Sequence, residues 1–213
     1  MARYSTLLVC SLLLLTGCNK AYYNMWEKFG YEKRHLLVSE VEDAKDSQEK
    51  AKEQFKTTLE RFQELTKFEG GELQAKYKKL NAEYERSKSR AEAVTTHIND
   101  VDTVAQDMFK EWKQELQQYE NAELRSKSQQ QLSQSQQRYS ELIAAMRRAE
   151  GKMQPVLKAF GDQVLFLKHN LNAQAIASLE TTTTQINSDV QALIKDMEAS
   201  INEANEFITQ MKT

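Results

Sequence analysis

The chain has 213 residues, with 29 Lys and Arg against 31 Asp and Glu, and a formal net charge of −2. This balance gives no electrostatic basis for binding nucleic acid, which requires a basic surface. Six glycines and one proline argue against a loop-rich or β-rich fold, whereas abundant Gln, Glu, Lys, Ala and Leu are typical of long helices.

The N-terminal segment has the layout of a secretory signal. Arg3 precedes a short apolar run over residues 7–15, and two small residues then lead to Cys18. This arrangement resembles the lipobox of bacterial lipoproteins, which implies removal of residues 1–17 and acylation of the Cys18 thiol. The run is too short to span a bilayer, which needs roughly 20 apolar residues. We therefore expect the chain to reach the membrane through the lipid on Cys18.

Processing at this site would leave no free thiol in the mature chain. Cys10 lies in the removed segment, and Cys18 carries the lipid. The sequence therefore predicts neither a disulfide nor a cysteine metal site. Residues 18–21 form a lipidated linker, and residues 22–213 form the predicted domain.

Four tracts with a seven-residue repeat make up that domain. In the tract from Leu73 to Trp112, seam positions recur in alternating steps of four and three, and all but Ser87 are apolar or aromatic. A period of 3.5 residues indicates helices with coiled-coil-like packing. The predicted helices cover residues 22–67, 72–118, 123–169 and 173–212.

Helix terminators separate the tracts. Gly70-Gly71 favours a C-cap, because glycine tolerates a left-handed backbone. Asn170-Leu171-Asn172 predicts a second turn in which Asn172 caps the last helix, and Asn121 is the expected cap of the third. Pro155 lies inside the third tract without shifting the seam, so we expect a bend there and not an end.

Four helices of similar length joined by short turns predict an all-α fold, an elongated antiparallel four-helix bundle. Two observations support this pairing. Trp26 and Trp112 lie 44 and 42 residues from residue 70, and residues 123–168 are net basic where residues 172–213 are net acidic. Two long helices that dimerise remain an alternative.

An aromatic cluster follows the anchor. Tyr22, Tyr23, Trp26 and Phe29 come soon after Cys18. They predict either a belt at the lipid interface or a plug that closes the membrane-proximal end of the bundle against Trp112. The plug is favoured, because Trp26 and Phe29 lie in the seam. In contrast, the segment Ser126–Gln137 is polar and predicts a weakly packed start of the third helix.

No catalytic motif emerges from the sequence. Glu32 and His35 match the Glu-x-x-His spacing of di-iron bundles. Neither His97 nor His169 has a glutamate three residues earlier, so the second copy that such a site needs is absent. Gly-rich phosphate loops, Gly-x-Ser-x-Gly and His-Glu-x-x-His are also absent. We expect no enzyme, no metal and no cofactor other than the covalent lipid.

Two segments carry a family resemblance: residues 21–34 (AYYNMWEKFGYEKR) and 166–174 (FLKHNLNAQ). They resemble a gammaproteobacterial family of predicted lipoproteins catalogued as domain of unknown function 2959, across the whole mature chain. The resemblance implies a secreted helical protein and brings no activity or site residues with it. Asn19 stands after Cys18 where lipoproteins of the inner membrane often have Asp. By that resemblance we expect the inner leaflet of the outer membrane, facing the periplasm.

We expect a structural or interaction protein of the cell envelope, tethered by its lipid and contacting an unidentified envelope protein, with homo-oligomers also possible. In an upright bundle the membrane-distal loops are the candidate contact, formed by Gly70, Gly71, His169, Asn170 and Asn172. The alternative is a ligand-sensing bundle of chemoreceptor type. Its pocket is expected where Ala44 to Ala51 and Ala91 thin the core.

Overall fold

The computed structural model of the protein describes residues 33–67 and 72–212, and within them it contains four long helices and no strand. The helices are α1 (Lys33–Thr66), α2 (Leu73–Glu115), α3 (Ala122–His169) and α4 (Ala173–Lys212). The all-α prediction is confirmed. The predicted first helix begins at residue 22, and its first eleven residues lie outside the described part, as does Gly70-Gly71.

The four helices form a ring in which each packs against two others: consecutive helices are in contact, and α4 closes the ring against α1. α1 contacts α2 and α4, α3 contacts the same two helices, and neither diagonal pair has close backbone contacts among the described residues. Side-chain pairs fix the directions. Lys33 on α1 lies 2.8 Å from Glu111 near the end of α2, and Lys212 at the end of α4 lies 2.7 Å from Glu42 near the start of α1. The result is an up-down-up-down bundle.

The heptad seams form the core. On α2, Leu80, Val94 and Ile98 are fully buried, as expected where each seam residue packs between side chains of facing helices. Phe62 of α1 and Phe160 of α3 meet across the diagonal, with ring centroids 6.0 Å apart and planes at 72°. Edge-to-face contact of this kind suits the aromatic quadrupole. A pair of aromatic rings therefore fills the space between the four helices near the end of the bundle where α1 ends at Thr66.

Both asparagine caps are found at the predicted positions. The Asn121 side chain accepts hydrogen bonds from the backbone N–H groups of Glu123 and Leu124 at 2.9 and 3.0 Å. Asn172 accepts one from Ala175 at 2.9 Å. These bonds satisfy N–H groups that a helix start leaves without partners. α2 ends at Glu115, before the predicted position, because the chain tightens into a 3₁₀ turn over Leu116–Gln118.

α3 runs without interruption through Pro155, so the proline does not end the helix, as predicted. The Pro155 side chain is exposed, and its ring therefore faces away from the packed seam. A proline in a helix removes one backbone hydrogen bond and crowds the preceding turn. The helix tolerates this because the core contacts on both sides of the proline, from Met153 and Val156, hold it in place.

The two ends of the bundle differ. We call the end at Thr66, Leu73 and His169 the tip, and the opposite end, at Lys33 and Lys212, the base. At the base, α1 begins level with Glu111 and α4 ends level with Glu42, so the turn between α2 and α3 projects beyond both. Within the segment predicted to pack weakly, Ser126–Gln137, Ser128 and Leu132 are buried, Ser135 and Gln136 are half-buried, and the remaining side chains are exposed.

Candidate functional site

Polar side chains inside the core connect neighbouring helices. The hydroxyls of Thr58 on α1 and Ser87 on α2 are 2.8 Å apart, and both residues are fully buried. This pair explains why a serine occupies the apolar seam of α2. Buried polar groups cost free energy unless they are hydrogen-bonded. Here one hydroxyl donates to the other, and the Thr58 hydroxyl also lies within hydrogen-bond distance of the Gln54 and Glu83 carbonyls.

A second buried polar pair joins α1 to α4. Ser200 donates a hydrogen bond to Gln48 Oε1 at 2.8 Å, and both residues are fully buried. Gln48 Nε2 has no hydrogen-bond partner among the described residues. Beside it, the stem of Lys52 is buried while its ammonium lies 2.9 Å from Glu49, which is the snorkelling expected of a long cation.

This region is the one predicted to hold a ligand pocket. Ala44, Ala51 and Ala91 are at most 1% exposed, and Gln48 and Ser200 are packed beside them on the α1–α4 side. This layer of the core holds the buried hydrogen bond between Ser200 and Gln48, and a ligand pocket at this level stays a prediction.

Two surface clefts lie elsewhere in the described part of the chain. One, of about 430 Å³, lies between α2 and α3 near the tip and is lined by Tyr77, Tyr84, Leu165 and two lysines, Lys158 and Lys168. Gly161 forms its floor, since a Cβ there would lie 2.6 Å from the Tyr84 hydroxyl. The absence of a side chain at 161 thus allows the tyrosine to lie against α3.

The other cleft, of about 340 Å³, lies between α3 and α4 towards the base. Its lining includes Arg138, three carboxylates and several glutamines. Tyr139 lies next to it in sequence but points towards α2, where it donates a hydrogen bond to Asp102. Burial, and then that bond, raise the pKa of the Tyr139 hydroxyl, so this phenol stays protonated and is a poor general base.

Carboxylates and one histidine meet between α1 and α2. Burial, followed by the charges of Asp100 and Asp43, raises the pKa of Glu40, while His97 opposes the shift. His97 Nδ1 is buried without a hydrogen-bond partner among the described residues. In the described part of the chain no group of three or more His, Cys, Asp and Glu is arranged to hold a metal ion. Glu32, half of the predicted Glu-x-x-His pair, lies outside that part.

Glu40→Gln is expected to raise the melting temperature at pH 7. Because the folded-state pKa of Glu40 is raised, folding favours the protonated form, so wild-type stability falls as the pH rises through that pKa. A glutamine mimics the protonated acid and removes this penalty. The gain should shrink as the pH is lowered towards 4, where wild-type Glu40 becomes protonated. Thermal melts across this range measure it.

The matched control for this prediction is Glu92→Gln, a change at an exposed position of α2, which should leave the melting temperature nearly unchanged. A gain for Glu40→Gln that is equal at pH 4 and pH 7 would contradict the electrostatic explanation and indicate a packing effect instead.

At the tip, two of the predicted contact residues have structural roles. Asn172 caps α4, and Asn170 Nδ2 donates to the Phe166 carbonyl at 3.0 Å. His169 is exposed. The prominent surface groups are instead Leu165 and Phe166, which are 59% and 42% exposed. Sequence reasoning missed Leu165 and Phe166 because it followed the seam, and the detectable signal was their apolar character outside it.

At the base, Trp112 is the one member of the predicted aromatic cluster among the described residues. Its Nε1 donates to Ser128 Oγ at 2.8 Å, which ties the end of α2 to the start of α3. Cys18, Tyr22, Tyr23, Trp26 and Phe29 lie outside the described residues, so the pairing of the two tryptophans stays a prediction. The turn itself exposes two large side chains, Tyr119 at 42% and Leu124 at 52%.

Among the described helices, none has an apolar stretch that is long enough to cross a bilayer. The comparisons with known proteins give one match. A family model described as "Protein of unknown function (DUF2959)" matches residues 22–211. No curated protein and no solved structure matches the chain. The family match covers all four helices and the predicted aromatic cluster.

Proposed function

The chain belongs to the DUF2959 family, and we propose that it is a lipid-anchored helical bundle of the bacterial envelope that binds an envelope protein through its tip. It acts as an interaction protein and not as an enzyme. The lipid is carried by Cys18, and the bundle faces the periplasm from the inner leaflet of the outer membrane. The observation that carries the proposal is the exposure of Leu165 and Phe166 at the end of the bundle remote from the chain's N-terminus.

Exposed apolar groups at this position favour a binding surface. Fully burying a Leu or Phe side chain contributes about 1.5–3 kcal/mol, and single exposed apolar residues are common on any surface. Here two are adjacent, and Leu165 also lines the cleft between α2 and α3 together with Tyr77 and Tyr84. Aromatic residues around a concave apolar centre are enriched at protein interfaces.

The tip lies at the end of the bundle remote from Lys33, the first described residue after the proposed anchor. α1 starts at Lys33, 15 residues after Cys18, and its 34 residues span about 50 Å at 1.5 Å per residue. The tip is therefore held about that far beyond the start of α1. An upright bundle of this length would carry a contact surface away from the lipid and towards proteins in the periplasm.

Crosslinking in intact cells tests the contact. A photo-crosslinking amino acid in place of Leu165 should capture one envelope protein, and Phe166→Ser should reduce the yield. The matched control is the same amino acid in place of Arg148, an exposed residue on the same helix, which should not capture that protein. Equal capture at both positions would contradict binding through the tip.

The anchor has its own test. Cys18→Ser should abolish acylation, as measured by mass spectrometry of the N-terminal peptide, and release the protein from the membrane fraction. Retention of the Cys18→Ser protein in that fraction would contradict a lipid anchor at Cys18 and leave the tip contact as a separate question.

A further inference from the structure

We propose that the turn between α2 and α3 is a second membrane contact, in which Tyr119 and Leu124 enter the interfacial layer of the bilayer that holds the Cys18 lipid. This inference rests on the lipid anchor of the proposed function. It assigns to the base of the bundle a defined orientation on the membrane, which a single lipid anchor would not provide.

The turn is the part of the described bundle that extends furthest at the base. Lys33 is level with Glu111, and Tyr119 follows Glu111 by eight residues, about 12 Å further along the helix direction. α4 ends still further back, because Lys212 is paired with Glu42. Neither neighbour reaches the turn within the described residues, and Tyr119 and Leu124 are 42% and 52% exposed.

The tether keeps this surface close to lipid. Lys33 follows Cys18 by 15 positions, so it lies at most about 50 Å from the acylated residue even in a fully extended chain. The turn lies at the same end of the bundle as Lys33, which is paired with Glu111 on α2. Because the lipid already holds the protein at the membrane, a tether of this length gives the α2–α3 turn a high effective concentration at the bilayer surface. Weak apolar contacts are then sufficient to hold the turn in the interfacial layer.

The side chains of the turn suit a membrane interface. Tyr119 has an apolar ring and a polar hydroxyl, a combination that favours the headgroup level of a bilayer. Leu124 lies on the first turn of α3 and is 52% exposed, although packing of the bundle does not need it there. Around these two, exposed amides and charges at Gln117, Gln118 and Glu120 remain at the headgroup level.

The turn has no net charge, so its apolar side chains are the groups proposed to bind the membrane. From Lys113 to Lys127 the chain carries three cations and three carboxylates. Lys127 lies 2.6 Å from Glu123, and Arg125 donates to Gln117 at 3.0 Å. A locally neutral surface gains little from anionic lipids. Contact through Tyr119 and Leu124 should therefore depend only weakly on salt and on lipid charge.

Spin labelling of the acylated protein tests the contact. An introduced cysteine is the single free thiol of the processed chain, because Cys18 is acylated and Cys10 is removed with residues 1–17. Gln118→Cys places a nitroxide beside Tyr119, and Lys168→Cys places the control label at the exposed tip. Both proteins are reconstituted into vesicles of phosphatidylethanolamine with a minor share of phosphatidylglycerol. Relaxation by dissolved oxygen is compared with relaxation by a water-soluble nickel chelate.

The expected ratio of oxygen to nickel accessibility is several-fold higher at position 118 than at position 168, and raising the salt concentration should not change it. Adding Tyr119→Ser and Leu124→Ser should reduce the ratio at 118 to the value at 168. The control change Phe166→Ser should leave it unaltered. A low ratio at 118 in vesicle-bound protein, or protection from both reagents as in a protein contact, overturns the inference.

Flotation with vesicles separates this inference from the proposed function. If the acylated protein floats with the vesicles while position 118 stays aqueous, the anchor stands and the second contact falls. If the protein carries no lipid and does not float, the anchor falls, and with it the premise of the second contact.

Discussion

Phe160→Ala is expected to lower the free energy of unfolding by about 3–5 kcal/mol, the usual cost of truncating a buried aromatic residue. Phe160 and its partner Phe62 are fully buried and meet edge to face at 6.0 Å. They come from α1 and α3, which have no close backbone contacts with each other. The cavity left by the substitution lies at the centre of four helices, so movement of one helix cannot fill it.

The effect is large against the total stability of a domain, which is about 5–15 kcal/mol. Urea unfolding followed by circular dichroism measures it. Phe166→Ala is the matched control, because it removes the same side chain from an exposed position on the same helix and should change stability by at most about 0.5 kcal/mol. Equal losses for the two variants would show that the ring of Phe160 does not close the core as described.

The Phe62–Phe160 contact also shows what the sequence could predict. Both residues occur in the predicted seams, and the period of 3.5 residues is enough to place them inside a bundle of four helices. Asn121 and Asn172 could be recognised as caps for a similar reason, since a cap depends on hydrogen bonds to residues two or three positions away. Features that depend on residues close together in the sequence could therefore be predicted from it.

Features that depend on residues far apart in the sequence could not be predicted from it. Gln48 and Ser200 are 152 residues apart, and nothing near either residue indicates that its polar group is buried against the other. The alanines around Gln48 predicted an empty space, because their small volumes are a local property. Whether such a space stays open depends on side chains that arrive from another helix.

The candidate site divides in the same way. The tip and the base could be assigned from the order of the turns. The exposed residues at the tip were missed, although the seam places Val164 and Leu167 in the core and so leaves Leu165 and Phe166 on the outer face of the helix. Asn170 and Asn172 were predicted as contact residues, and their side chains make hydrogen bonds within the turn; their contact with a partner stays a prediction.

Ser200→Ala is expected to lower the free energy of unfolding by about 1–3 kcal/mol, although alanine is the better helix former. The hydroxyl of Ser200 donates to Gln48 Oε1 at 2.8 Å, and Gln48 Nε2 already lacks a partner among the described residues. Removing the hydroxyl leaves a fully buried amide with neither of its polar groups bonded. Urea unfolding measures the loss.

Gln48→Met is expected to have the opposite effect and to leave the protein at least as stable as the wild type. It replaces a buried amide with an apolar side chain of similar shape, and the Ser200 hydroxyl can then bond the carbonyl one helical turn before it. In the double variant, Ser200→Ala should no longer cost stability. This non-additivity is what a direct contact requires, and additive losses would contradict it.

A stabilising Gln48→Met would raise the question of what the polar pair provides. Apolar contacts between α1 and α4 are non-directional, so the two helices could shift along one another by a helical turn with little change in buried area. The bond from Ser200 to Gln48 is satisfied in one register only, as with a single buried asparagine in a coiled coil. We therefore expect Gln48→Met to broaden the amide NMR signals of α1 and α4 while it raises the melting temperature. Sharp signals in that variant would show that apolar packing alone defines the register.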